Sequence, residues 1–162
     1  TGEHFQMANA YCFPRPVQTP PRVWVGGGGE RRTIRTAARY ADGWNVAYIS
    51  PELFQHKVGV LDQWCDKEAR DNSEITPTVN VGFWMGADEA EARQERDRYN
   101  EQYGDRAEER SGGQLFGTTE QVIDRIGEYV DAGAQGLNIA LRAPFNWDAL
   151  QAFTEQVLPA FK

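Results

Sequence analysis

The residues best placed to do chemistry are four consecutive glycines, Gly26–Gly29, with Arg31, Arg32 and Arg35 close behind them. Glycines let a backbone approach a ligand closely. A helix that starts after them presents unpaired N–H groups and the positive end of its dipole to an anion. Gly26, Gly27, Gly28 and Gly29 are therefore candidate backbone ligands for an anion, and Arg31 and Arg32 add charge where it would bind. Two phosphate motifs do not fit: G-x-G-x-x-G needs glycine where Arg31 stands, and a P-loop needs G-K-[ST] after its spacer. Arg35 and Arg39, four residues apart, share one side of a helix, where pairing with Asp42 or Glu30 is the competing role.

A second candidate is Arg142, a charge at the end of the last expected strand, suited to anchor a substrate or a phosphate. Trp44, Tyr48, Phe83 and Trp84 fall near strand ends, where they could flank a planar ring or simply pack in the core; of these Trp84 is the substrate-contact candidate. His4 and His56 stand alone, and Cys12 and Cys65 lack metal-ligand spacing, which fits reduced thiols in a cytoplasmic protein. H-E-x-x-H, C-x-x-C and the EF-hand loop are missing, so a metal is not expected. The carboxylates concentrate between Asp88 and Glu109, where a solvated helix explains them. The hard chemistry is thus expected from a bound organic cofactor.

The elements that must position these residues alternate. Residues 1–21, broken by prolines, read as a connecting segment. A strand is expected at Arg22–Val25 and a helix near Arg31–Ala41. A strand at Trp44–Ile49 precedes a helix at Pro51–Arg70, capped by Ser50 and burying Phe54, Val58, Leu61 and Cys65. The third strand, Thr76–Met85, leads to a helix from Asp88 to Tyr103 with a thin apolar stripe of Ala90 and Tyr99. Gly104–Gly117 reads as a polar, mobile loop or lid. A helix from Thr118, boxed by Gln121, buries Val122, Ile126, Tyr129 and Val130 and ends at Gly133. A last strand, Gly136–Arg142, precedes a helix burying Leu150, Phe153, Val157 and Phe161.

Four strand–helix units call for parallel strands with helical crossovers. They could form a small doubly wound sheet or half of a (β/α)₈ barrel, whose full form takes ~250 residues. Asn45, Ala47, Asn80, Gly82, Asn138 and Ala140 make one strand face small or polar, which favours a barrel interior over a sheet buried on both sides. The 162 residues suit one domain of residues 1–162, and a net charge of −7 speaks against nucleic acid or an anionic membrane surface as partner. No apolar run approaches the ~20 residues of a membrane span.

The sequence resembles the luciferase-like monooxygenase superfamily and is most similar to its F420-dependent oxidoreductases. Carrying the resemblance are Gly2-Glu3-His4-Phe5, Pro14-Arg15-Pro16-Val17-Gln18, Val25-Gly26-Gly27-Gly28-Gly29-Glu30 and Ala37-Ala38-Arg39-Tyr40-Ala41-Asp42-Gly43-Trp44-Asn45. Phe116-Gly117-Thr118-Thr119-Glu120-Gln121-Val122 and Asp131-Ala132-Gly133-Ala134 extend it. The resemblance implies a (β/α)₈ barrel with F420, or alternatively FMN, at the carboxyl ends of its strands. It implies that this chain is the second half, strands five to eight, with Gly26–Gly29 beside the cofactor phosphate and Arg31 and Arg32 as further contacts. Beginning at Thr1 and spanning half a barrel, the chain is expected to be a fragment, or to be completed by another chain or a dimer partner. The activity implied is hydride transfer between reduced F420 and a small organic substrate. FMN-dependent monooxygenation is an alternative, and a non-catalytic flavin-binding or assembly module is another.

Overall fold

A computed structural model describes residues 2–11 and 13–161. Cys12, and the reduced thiol expected there, lies outside them; Cys65 is a buried free thiol. The described residues up to 21 are exposed and without regular structure, in keeping with their prolines. Parallel strands follow: β1 (Trp24–Gly26), β2 (Gly43–Ala47), β3 (Thr76–Met85), β4 (Gln114–Gly117) and β5 (Gly136–Ala140). The helices are α1 (Thr33–Tyr40), α2 (Pro51–Lys67), α3 (Glu89–Tyr103), α4 (Ala107–Arg110), α5 (Thr119–Asp131) and α6 (Trp147–Ala152). A π-helical turn, Phe153–Val157, and a 3₁₀ turn, Leu158–Phe161, continue α6.

Local signals set most boundaries. Ser50 accepts from the Leu53 amide with Pro51 at the first helical position, and Asp88 takes the amides of Ala90 and Glu91 at 2.8 and 2.9 Å. Thr118 and Gln121 form a reciprocal capping box. Glu91 differs from the expected box: it accepts from Ala87 N, one residue before the cap, at 3.0 Å. Helix α1 begins at Thr33 rather than Arg31, and Arg32 at its cap position makes no side-chain capping bond. Strand β2 ends at Ala47, since Tyr48 turns to φ 57.

The connection read as a mobile loop is folded instead. It holds a 3₁₀ turn at Gly104–Arg106, α4, another turn at Ser111–Gly113, and β4. Strand β4 adds to the sheet along the last residues of β3, Gly82–Met85. Strands β2 and β5 both pair with Thr78–Asn80 and therefore flank β3, which gives the lateral order β1-β2-β3-β5 in chain order. A doubly wound sheet reverses its strand order and is covered on both faces. Here the order does not reverse, and only one face is apolar. Trp44, Val46, Val79 and Val81 on that face pack against Ile34, Phe54, Leu61, Val122, Ile126 and Tyr129 of the helices.

The opposite face carries an amide ladder across three strands. Asn45 Nδ2 donates to Thr78 Oγ1 at 2.8 Å and to Asn80 Oδ1 at 3.3 Å, and Asn138 Nδ2 donates to Asn80 Oδ1 at 3.0 Å. Some core expectations fail at helix ends and on α3. Val130 and Phe161 are exposed, and the buried stripe of α3 is Ala92, Glu95 and Tyr99, with Ala90 in solvent. Glu95 tolerates burial through its 2.9 Å ion pair with Arg98.

Candidate functional site

The glycine turn follows β1 directly. Gly27 sits at φ 120, a conformation that a side chain would strain, and its amide continues the ladder to Asn45 O at 2.8 Å. Each following carbonyl is taken by a donor from elsewhere. Trp44 Nε1 donates to Gly27 O at 2.9 Å, Lys57 Nζ to Gly28 O at 2.9 Å, Ile34 N to Gly29 O at 3.0 Å, and Trp64 Nε1 to Glu30 O at 2.8 Å. Among the described residues, the backbone amides from Gly28 to Thr33 meet no backbone acceptor outside the helix. The turn is therefore fixed with its acceptors occupied and its donors available, which is the requirement for an anion cradle at a helix start.

The charges around the turn divide into two sets. Lys57, largely buried on α2, also meets Glu30 Oε1 at 3.1 Å, and exposed His56 meets the same oxygen at 3.2 Å. The Lys57 hydrogen bond and charge, with His56 adding to them, hold the Glu30 carboxyl below the usual carboxylate range. Arg31 and Arg32 are exposed beside the turn and line, with Gly28, Gly29, Glu30, Thr33 and Lys57, an open depression of ≈ 850 Å³. Arg35 and Arg39 point elsewhere: both pair with Glu68, at 2.8 and 3.1 Å, and Arg35 lies 5.1 Å over Trp64. The expected acids are engaged differently, since Asp42 accepts from Val23 N at 2.7 Å.

A second depression, ≈ 350 Å³, lies past the carboxyl ends of β2 and β5 and is lined by Tyr48, Tyr103, Glu109, Arg110, Gln114 and Arg142. Arg142 thus opens onto a polar cleft. Trp84 stands behind its wall: it is 3% exposed, donates to Gln114 Oε1 at 3.1 Å, and meets Tyr103 edge-on at 6.3 Å. Trp44 and Phe83 face the helices, stacked on Phe54 and edge-on to Phe153, so core packing rather than ring contact is their role. Tyr48 is half exposed at the cleft.

Residues 1–136 match the model of the luciferase-like monooxygenase family. The chain belongs to that family. No curated protein sequence matches it. Among solved structures, the luciferase-like chain is similar to an F420-dependent secondary alcohol dehydrogenase in complex with an F420-acetone adduct (TM-score 0.80, 14% identity, 100% of this chain and 55% of that one). It is also similar to the F420-dependent tetrahydromethanopterin reductase of Methanopyrus kandleri (TM-score 0.70, 18% identity, 89% and 52%). A third is the oxygenating constituent of 3,6-diketocamphane monooxygenase from Pseudomonas putida, in complex with FMN (TM-score 0.61, 14% identity, 86% and 49%). At these identities the likeness shows the fold alone, and this chain spans about half the length of each neighbour.

The luciferase-like chain brings Gly28, Gly29, Arg31 and Arg32 together at one depression and places Arg142 at another, with Trp84 buried between the second and the core. Trp44, Lys57 and Trp64, which fix the turn, escape sequence reasoning because they bond to residues 17 to 34 positions away. Lys57 and Trp64, seven apart on one face of α2, are the only local hint. Among the described residues no helix is long and apolar enough to cross a membrane, and no three His, Cys, Asp or Glu side chains group as a metal site.

Proposed function

We propose that the chain is the carboxyl-terminal half, strands five to eight, of a (β/α)₈ luciferase-like oxidoreductase that transfers a hydride between reduced F420 and a small organic substrate. The observation that carries this reading is the glycine turn, whose carbonyls from Gly27 to Glu30 are engaged while its amides from Gly28 onward stay available. Backbone donors at Gly28 and Gly29 would hold the cofactor phosphate, with Arg31 and Arg32 adding charge from the rim; the Gly27 amide is spent on Asn45 O, so Gly26 and Gly27 would shape the approach rather than donate. The bound deazaflavin supplies the hydride chemistry. The chain's own part is to fix the phosphate, to present the polar Asn45–Asn80–Asn138 face beneath the mouth, and to offer the Arg142 cleft, backed by Trp84, to substrate.

The reading also requires a cover for the sheet. The outer sides of β1 and β5 pair with no other strand among the described residues, and an apolar groove of ≈ 290 Å³ beside β5 is lined by Ile126, Val130, Leu137, Ile139, Phe153 and Leu158. Open edges invite pairing, which the other half of the barrel or a dimer partner would supply. FMN is the second reading, favoured by the FMN-bound neighbour.

Titrating the protein with F420 and with FMN, followed by ring absorbance and fluorescence, separates the readings. Tighter binding of F420 is the expected result. Binding of FMN alone moves the assignment to a flavin monooxygenase, and binding of neither overturns the cofactor role of the turn.

A further inference from the structure

The cleft at Arg142 is built from side chains rather than backbone. Arg110 is located by two contacts: its guanidinium lies 5.4 Å over the Tyr103 ring, and its carbonyl accepts from Gln114 Nε2 at 3.1 Å, Gln114 Oε1 in turn being held by Trp84. Gln114 is itself 7% exposed, so this wall is fixed from behind. Tyr48 adopts φ 57, a backbone shape uncommon for tyrosine, and the turn at Gly113 presses so close to its backbone that a Cβ there would overlap it. Among the described residues, neither Arg110 nor Arg142 pairs with a carboxylate.

Charge and distance narrow the occupant. Two arginines and Glu109 leave the lining with a net charge of +1 (2 − 1), which suits a monoanion better than a dianion. The glycine turn ends β1 whereas Arg142 follows β5, three strand positions away in the order β1-β2-β3-β5. At the usual strand spacing that is ~14 Å along the sheet. One phosphate does not serve both places.

We infer that this cleft takes the carboxylate end of an organic substrate, gripped by Arg110 and Arg142, with Tyr48 and Tyr103 against its apolar body. Arginine is suited to this task because its planar fork matches a carboxylate in two parallel hydrogen bonds. The inference rests on the proposed oxidoreductase role only for the word substrate, since carboxylate binding is measurable without a cofactor.

Calorimetric titration of the full chain with benzoate and with its neutral counterpart benzamide tests it. Benzoate is expected to bind at least tenfold tighter than benzamide, and inorganic phosphate at equal concentration is expected not to displace it. Arg142→Gln and Arg110→Gln are each expected to weaken benzoate about tenfold, the usual loss for a charged hydrogen bond, while Arg31→Gln leaves it unchanged. Equal affinity for benzamide, no benzoate binding, displacement by phosphate, or native benzoate affinity in both arginine variants would overturn the inference. The benzoate–benzamide comparison needs no variant, so misfolding of a variant does not decide it. Benzoate binding through Arg110 and Arg142 in a protein that takes neither F420 nor FMN would sink the cofactor reading and leave the carboxylate cleft standing.

Discussion

The turn at Gly26–Gly29 is held from outside by Trp44, Lys57 and Trp64 of β2 and α2, whereas residues 104–117 fold on themselves and are clamped by α5. In the second region Tyr99 donates to Ala107 O at 2.9 Å and Ser111 to Glu108 O at 2.8 Å. Arg125 donates to Gly112 O at 2.6 Å, and Tyr129, its hydroxyl pushed up to about 12 by burial, reaches the same carbonyl at 3.3 Å. Both regions are rich in glycine, and both are fixed in place. Their anchoring leaves different groups free, backbone amides in one and side chains in the other. In the turn the carbonyls from Gly27 to Glu30 are consumed and the backbone amides remain, so the proposed phosphate role tolerates changes at exposed side chains. In the connection backbone carbonyls are consumed and the Arg110 side chain remains, beside Tyr103 at the end of α3, so the inferred carboxylate grip depends on single side chains.

Substitutions can break that comparison, and the largest effect is expected at Gly113. Alanine there would overlap the Tyr48 backbone, whereas at Gly26 nothing lies within 4 Å of an added Cβ. Urea unfolding is expected to show about 3 kcal/mol lost in Gly113→Ala, at the upper end of ordinary overpacking, and about 0.5 kcal/mol or less in Gly26→Ala. Equal losses would mean that the two glycine regions are not packed as described. Trp44→Phe keeps an aromatic ring but removes buried ring volume and leaves Gly27 O without its indole donor, at a cost of about 1–3 kcal/mol. The same substitution is expected to weaken F420 binding and leave benzoate binding intact.

Lys57→Met sharpens the comparison further by releasing Gly28 O. F420 affinity is expected to fall roughly tenfold, with a smaller change in the unfolding midpoint. A native affinity would show that the turn keeps its shape without its lysine. The smallest effect is on pH dependence. The Glu30 carboxyl is held low by Lys57, so its contribution is present above the ordinary carboxylate pKa and is lost as pH falls through its lowered folded value. Folding stability is expected to decline slightly in that acidic window in the native chain and to show a flatter profile there in Glu30→Gln, read by urea unfolding at each pH.

Local chemistry made the fold readable. The caps at Ser50, Asp88 and Thr118 and the alternation along Thr76–Met85 place α2, α3, α5 and β3 with little error, because each signal acts within a few residues. Strand β4 was not legible, since Gln114–Gly117 is a short run in a polar stretch and its order comes from pairing with β3. In the site, the glycines announce a turn, but their fixed shape depends on long-range donors. Glu68, which captures Arg35 and Arg39 from across the α1–α2 contact, was equally beyond reach of helical spacing.

The account stands or falls on the free amides of the turn. Amide ¹H–¹⁵N spectra of the chain, recorded during titration with F420, test them directly. The account predicts that the resonances of Gly28, Gly29 and the residues up to Thr33 shift together and saturably, and that the phosphate-free deazaflavin leaves them in place. Saturable F420 binding that moves other resonances while these stay still would contradict it.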